Sequence, residues 1–371
     1  MRGNPRFRRH YYGENPSMKE TARKAFVAAL IVVTVVALAL ALWKLRIVIA
    51  LLFLAFIIAA AMRPSVEWLH RYRIPRGIGV LAHYAVLLGV IALLLWAVVP
   101  RAIDQVDNAL GGIPTSSSEL QEETKASTGV KHEILKRVQT GLDELPAGKD
   151  ILDPALSVTF TVFEVFLGIF FTLACGAYWI FERDRAEGLV LSMLPRERRR
   201  VVRDTWNLID MKLGAYVRGQ LLLIFFVASL LCLIFYLIGL PFWLLIGIFA
   251  GLVEIVPVIG PIAAGAVAIG VGLTQSWQLA LAAGLAVLGV RLLEDYVVIP
   301  RVLGHAVGLT PLTVLVSVTV IGILFGGFAV LLAIPLAAVF ATLVDVIIRH
   351  RNPADEDVPA VLFPAKEAEE G

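Results

Sequence analysis

Uninterrupted apolar blocks alternate with charged connectors along the chain. The blocks lie at 25–42, 47–62, 78–99, 158–181, 220–239, 242–273, 277–298 and 311–347. Each block is apolar on all sides rather than along one stripe, which is typical of a helix in lipid. About 20 such residues cross about 30 Å of hydrocarbon. The pattern predicts an all-α polytopic membrane protein with about eight hydrophobic segments.

Composition agrees with this pattern and excludes several other classes. The chain has 371 residues, of which 58% are hydrophobic and 17% charged, whereas soluble domains have about a quarter charged residues. Its two cysteines, Cys175 and Cys232, lie in apolar runs and support neither a disulfide framework nor a zinc site. The sequence lacks the phosphate-binding GxxxxGK[ST], HExxH and GxSxG motifs. We therefore expect a non-enzyme without cofactor or metal, surrounded by membrane lipid.

The charged connectors predict how the chain is organised. The predicted segments are a basic N-terminus at 1–24, three spans within 25–99, a hydrophilic helical insertion at 100–157, a second membrane region at 158–348 with an amphipathic linker at 182–218, and a disordered tail at 349–371. Basic connectors without interleaved aromatic residues indicate membrane topology rather than a nucleic-acid partner.

Lysine and arginine bias predicts the orientation of the spans. The segment before Ala25 carries seven basic residues and 182–218 carries nine, whereas 100–157 has ten acidic residues against six basic ones. Basic loops remain in the cytoplasm. The N-terminus and the C-terminus are both predicted to be cytoplasmic, and the insertion extracytoplasmic.

Two blocks are too long for one ordinary span. As single helices, 242–273 would measure about 48 Å and 311–347 about 55 Å. Both contain helix breakers near the middle, namely Pro257, Gly260 and Pro261 in the first and Gly322, Gly326 and Gly327 in the second. Each block is therefore a re-entrant hairpin, which we favour, or a sharply kinked span. Broken helices expose backbone groups that bind ions or polar solutes in transporters.

Charged residues inside apolar blocks are the other candidates for a site, because an ionised side chain in lipid is costly. Glu254 is the most isolated of them, three residues before Pro257. A helix would place Glu294 and Asp295 beside Arg291, at spacings of three and four residues. A less favoured candidate, Glu164, could pair with another helix or with His83. For each of these carboxylates a purely structural role is the alternative.

The C-terminal half resembles a known family. The motifs are EIVPVIGP at 254–261, LLEDYVVIPRVLGHAVGLTPLTVLVSV at 292–318 and GILFGGFAVLLAIPLAAV at 322–339, together with the long connector after the third block. They resemble the autoinducer-2 exporter family, also called PerM-type permeases, over residues 25–348. Matched by position, the family's motif residues are Glu254, Pro257, Gly260, Pro261, Pro300, Gly304, Pro311, Gly322, Gly326, Gly327, Ala333 and Pro335.

The resemblance implies a bacterial inner-membrane permease that forms homo-oligomers, with pentamers the expected state. It implies export of autoinducer-2 or exchange of Na⁺ or Li⁺ for H⁺. We therefore expect a secondary transporter for a small solute or monovalent cation, coupled to H⁺ or Na⁺. A non-transporting membrane scaffold and a passive channel are the alternatives.

Overall fold

The computed structural model describes residues 18–110, 152–256, 259–302, 309–356, 358 and 361. Within these ranges the secondary structure is entirely helical, which confirms the predicted fold class. Most of the predicted insertion, together with Pro257 and Gly304, lies outside the described residues. The chain divides into two units, one ending at Ile49 and the other beginning at Ala50.

The first unit contains helix α1, Met18–Lys44. Its apolar side chains are exposed along its length, as expected of a helix that contacts lipid. Near its end the guanidinium of Arg46 lies 4.6 Å from the ring centre of Trp43, an arrangement typical of a cation–π contact.

Long helices follow α1 along the chain. They are α2 (Arg46–Arg71), α3 (Arg76–Leu110), α4 (Leu152–Ser192) and α5 (Arg196–Leu237). Among the described residues, five helices (α1 to α5) are long and apolar enough to cross a membrane. Only a short turn at 193–195 separates α4 from α5. The predicted linker 182–218 therefore comprises the end of α4, this turn and the first part of α5.

The first broken block folds back on itself. It forms α6 (Trp243–Val253) and α7 (Ile259–Leu273), followed by α8 (Trp277–Leu293). Ala250 and Ala264 line the same small cavity, whereas a continuous helix would hold them about 21 Å apart. The hairpin is therefore the correct alternative for 242–273.

Glycines allow the helices of this region to approach closely. Gly247 lies against Cys232, and Gly251 against Ala228, so α6 runs antiparallel to the end of α5. A Cβ on Gly260 would overlap the carbonyl oxygen of Val253 at the end of α6. Only glycine fits at this contact between the two arms of the hairpin.

The second broken block also reverses. Helix α10, Pro311–Phe325, ends at Gly326, whose φ of +89° favours glycine. The short α11, Gly327–Val330, and then α12, Ala333–Ile347, follow. Helix α12 packs against α10 and against α5. This break at Gly326 agrees with the prediction for 311–347.

A buried polar junction joins α2, α4 and α5. Arg183 donates from Nε to Asp210 Oδ2 at 2.6 Å and from Nη1 to Glu187 Oε2 at 2.9 Å, and Nη2 bonds Asn207. Arg63 lies 3.5 Å from the same oxygen of Asp210. Arg183, Glu187 and Asp210, which all belong to the predicted linker, are therefore paired within the protein.

The structure describes part of the predicted tail 349–371, namely residues 349–356, 358 and 361. Pro353–Asp355 forms a 3₁₀ turn, and the chain then packs on α5. Lys212 pairs with Glu356, and Arg218 Nε donates to the Val361 carbonyl at 2.8 Å. The composition of the tail is polar. Its contacts with two buried cations of α5 cannot be inferred from that composition alone.

The glycine contact of α6 with α5 gives a first testable expectation. In Gly247→Ala the new Cβ would lie 2.7 Å from Cys232 N and 2.8 Å from its Cα. We expect a loss of about 1–3 kcal/mol of stability, measured as a lower melting temperature in detergent. The matched control is Gly270→Ala, where a Cβ meets nothing within 4 Å. Equal melting temperatures for the two variants would contradict close packing at Gly247.

Candidate functional site

The tip of the α6–α7 hairpin brings a carboxylate to a break in the backbone. Glu254 follows the last residue of α6 and is 4% exposed. Its carbonyl, which a helix end leaves without a helical partner, accepts a hydrogen bond from Gln220 Nε2 of α5 at 3.0 Å. Non-helical backbone at membrane depth requires such partners. The break and the buried charge therefore occupy one polar environment.

Arg291 of α8 is the centre of the charges around this tip. Its Nη1 lies 3.1 Å from Glu254 Oε1 and 3.3 Å from Glu294 Oε2, and its Nη2 lies 3.0 Å from Asp295 Oδ1. Glu294 is 2% exposed, whereas Asp295 is exposed. The structure thus brings together four predicted residues, with three carboxylates around one guanidinium.

A change in helix type occurs at the site. Helix α8 ends at Leu293, and Glu294–Val298 forms a π-helix before the short helix α9, Ile299–Val302. The spacings from Arg291 to Glu294 and Asp295 place both carboxylates on its face. Single-turn π segments occur frequently at functional sites.

Three members of the cluster, Glu254, Arg291 and Glu294, line a small cavity between α5, α6, α7 and α8. The lining residues are Val227, Leu231, Ala250, Glu254, Pro261, Ala264, Val287, Val290, Arg291 and Glu294. The cavity has room for about one water molecule. Its lining combines apolar side chains with three charged ones, and its size suits a proton or a small ion better than an organic solute in this conformation.

The arrangement has a definite proton-binding chemistry. Glu254 and Glu294 contact the same nitrogen of Arg291, and both are almost fully buried. One guanidinium neutralises one carboxylate, and two carboxylates that share a buried site do not both ionise readily. The pair is therefore a candidate site for one shared proton.

The remaining predicted site residues are divided between this site and other parts of the protein. Glu164 is exposed on α4, and the proposed partner His83 instead contacts Ser65 Oγ and the Gly79 carbonyl. The glycines of the second break lie at the reversal between α10 and α12; they are Gly322, Gly326 and Gly327. Pro261 is brought to the cavity, Gly260 is brought to the hairpin contact, and Pro257 lies outside the described residues.

Gln220 is a site residue that the sequence analysis missed. It was counted as the first residue of an apolar block, yet it is buried and binds the freed carbonyl of Glu254. A polar amide at the start of an apolar block, two residues after Arg218, was the available signal. Its partner could not be read from the sequence because the two residues belong to different helices.

Apolar helices of this length, two folded-back blocks and a charged cavity at the first of them are typical of a polytopic membrane transport protein. The model of the AI-2E family transporter matches residues 30–349 of the chain. The chain therefore belongs to the AI-2E transporter family, as the motifs of its C-terminal half indicated.

Curated relatives agree with this membership. The chain is 24% identical over 309 residues to "Putative transport protein YrrI" of Bacillus subtilis, covering 81% of this chain and 87% of the relative. It is 27% identical over 333 residues to "Putative transport protein YueF" of the same organism, covering 83% and 89%. A third relative, "Putative transport protein MT0215" of Mycobacterium tuberculosis, is 25% identical over 352 residues, covering 92% and 94%.

Proposed function

We propose that this transporter is a secondary transporter that exchanges protons for a small solute, with the Glu254–Glu294 pair as the proton carrier. The solutes to test first are Na⁺, Li⁺ and autoinducer-2. Arg291 holds the pair in place and balances one negative charge. Solute entry into the cavity would then displace the shared proton, which couples the two movements.

The observation that carries this proposal is the shared contact of two buried carboxylates with Arg291 Nη1. Intramembrane ionisable residues mark ion and proton pathways in transporters. Broken helices that meet near such residues form substrate sites. A lone structural ion pair would need one carboxylate, whereas this site holds a second one that can take up a proton.

For its cellular setting, we propose a bacterial inner membrane with both termini in the cytoplasm and a homo-oligomeric assembly. The basic segments before Ala25 and at 182–218 support this orientation.

The direct test measures solute-driven proton movement. Purified protein is reconstituted into liposomes that contain the pH indicator pyranine, and Na⁺, Li⁺ or autoinducer-2 is added outside. We expect at least one of these solutes to change the internal pH. In Glu254→Gln, which cannot ionise, we expect the rate to fall to that of protein-free liposomes.

The control is Glu182→Gln, the same chemical change at an exposed carboxylate that pairs with exposed Arg185. This variant should keep the wild-type rate. A wild-type rate in Glu254→Gln would remove Glu254 from the mechanism. If the wild-type protein gives no pH change with any of the three solutes, the proposed proton coupling to them is wrong.

A further inference from the structure

Two buried cations of α5 lie on a surface that the C-terminal segment covers. Lys212 and Arg218 belong to the same helix, six positions apart, and both are buried. Between them Ala215 is fully buried against Val361. We call the surface formed by Lys212, Ala215 and Arg218 the tail seat. Buried cations require partners, and the C-terminal segment supplies one to each of these two.

An ion pair holds one end of the segment in the tail seat. Glu356 Oε1 lies 2.6 Å from Lys212 Nζ, and the same nitrogen donates to Thr342 Oγ1 of α12 at 3.2 Å. The side chain of Lys212 is 7% exposed and that of Glu356 is 35% exposed. Among the described residues, Glu356 is the one carboxylate within ion-pair distance of Lys212.

Backbone and apolar contacts hold the other end. Arg218 Nε donates to the carbonyl of Val361 at 2.8 Å, and its Nη1 donates to the carbonyl of Ala61 in α2 at 3.0 Å. Val361 is buried, and Val358 packs at the edge of the same cluster, next to Val302 of α9. The segment therefore meets α5 with an acidic group, a carbonyl and two valines.

The segment and the tail seat are complementary in charge and in apolar pattern. The sequence NPADEDVPAV at 352–361 has three consecutive acidic residues followed by the two valines. The surface presents an ammonium at one end, a guanidinium at the other, and alanine between them. Among the described residues, the contact consists of one ion pair, one hydrogen bond to a carbonyl and two valines. The covalent tether supplies the effective concentration that so small a contact needs.

We propose that the tail seat is a binding site for the chain's own segment 352–361, from which this segment dissociates and to which it returns. The segment is thus an intramolecular ligand of the junction between α2, α5 and α12. When it leaves, Lys212 and Arg218 become available to water or to another acidic peptide. This inference is independent of the transported solute.

Limited proteolysis of the full chain tests the proposal. Trypsin cuts after Arg351, which is exposed, and cleavage requires the adjoining segment to leave its seat, so the rate reports the open population. We expect Glu356→Gln to be cut at least about fivefold faster than wild type, because an unpaired buried Lys212 weakens the closed state. Lys212→Met should give a similar rate, and the double variant should add little.

Asp355→Asn is the matched control, because it removes one neighbouring charge from an exposed side chain. It should be cut within about twofold of the wild-type rate, as expected for an exposed charge. Equal cleavage of wild type, Glu356→Gln and Asp355→Asn would overturn the proposal, since the segment would then not depend on the tail seat.

A synthetic peptide gives a second measurement that does not depend on any variant folding. An excess of peptide 352–361 should compete for the tail seat and accelerate cleavage of the wild-type chain. The same peptide with glutamine in place of Glu356 should have at least about tenfold less effect, which corresponds to about 1.4 kcal/mol. No acceleration by the unmodified peptide, at concentrations up to several millimolar, would show that the contact does not exchange.

Discussion

Replacing Arg291 by methionine is expected to destabilise the protein by about 3–5 kcal/mol. The change leaves Glu254 and Glu294 buried without the guanidinium that contacts both, and removal of one partner of a buried pair has a cost of this size. The measurement is thermal unfolding in detergent, with a decrease of roughly 5–10 °C expected.

Two further variants separate this effect from loss of the methylene packing of Arg291. Arg349→Met, which breaks an exposed ion pair with Asp345, should cost at most about 1 kcal/mol. Arg291→Met combined with Glu254→Gln should recover part of the lost stability, because one uncompensated charge is removed. If the double variant melts below Arg291→Met, the assigned charge balance of the site is wrong.

Replacing Arg183 by methionine is expected to have an effect of similar size, about 3–5 kcal/mol. Arg183 is buried and its guanidinium reaches Asp210, Glu187 and Asn207. Without it, the remaining ion pair of Asp210 among the described residues is the longer contact with Arg63, at 3.5 Å. The same melting experiment, supplemented by the yield of monodisperse protein after purification, measures this loss.

The control for Arg183 is its near neighbour Arg185, which is exposed and pairs with exposed Glu182. Arg185→Met should melt within about 1 °C of wild type. Comparable losses in the two variants would mean that the junction of α2, α4 and α5 does not depend on its buried pairs.

The sequence predicts the helices of this protein well because their physical determinants are local. Uniformly apolar blocks predicted long membrane helices, and the breakers at Gly260 and Gly326 marked the places where two blocks reverse. The contacts of Arg291 with Glu294 and Asp295 were also predictable, since spacings of three and four residues place side chains together on one helix.

Contacts between distant segments could not be predicted from the sequence, because they depend on how the helices pack against one another. Arg291 meets Glu254 only because α6 to α8 fold back on one another, and Gln220 joins them from a third helix. An isolated carboxylate in an apolar run gave the same signal at Glu164 as at Glu254. Packing of neighbouring helices buries Glu254 and leaves Glu164 exposed. The local composition around each residue does not show which helices will be its neighbours.

The C-terminal tail is a second region whose contacts depend on residues far away in the sequence. Its acidic composition is typical of disorder, and that inference holds for a segment without partners. Lys212 and Arg218 lie more than 130 positions earlier, in a stretch interpreted as an interfacial linker. Burial of these two cations on one helix creates a requirement that the distant acidic segment fulfils, and no local property of either stretch reveals this pairing.

The close glycine contacts also have a mechanical consequence. Gly247 and Gly251 bring α6 onto α5, and Gly272 brings α7 onto α8, so backbone touches backbone at each step and little sliding is available. Helices α5 to α8 would therefore rotate as one rigid body in any movement that opens the cavity to a different side of the membrane. This group ends at the π-helix Glu294–Val298, where the helix type changes next to the buried pair. If the pair formed by Glu254 and Glu294 carries the proton, as proposed, its protonation acts at the junction between this rigid group and the helices that follow it.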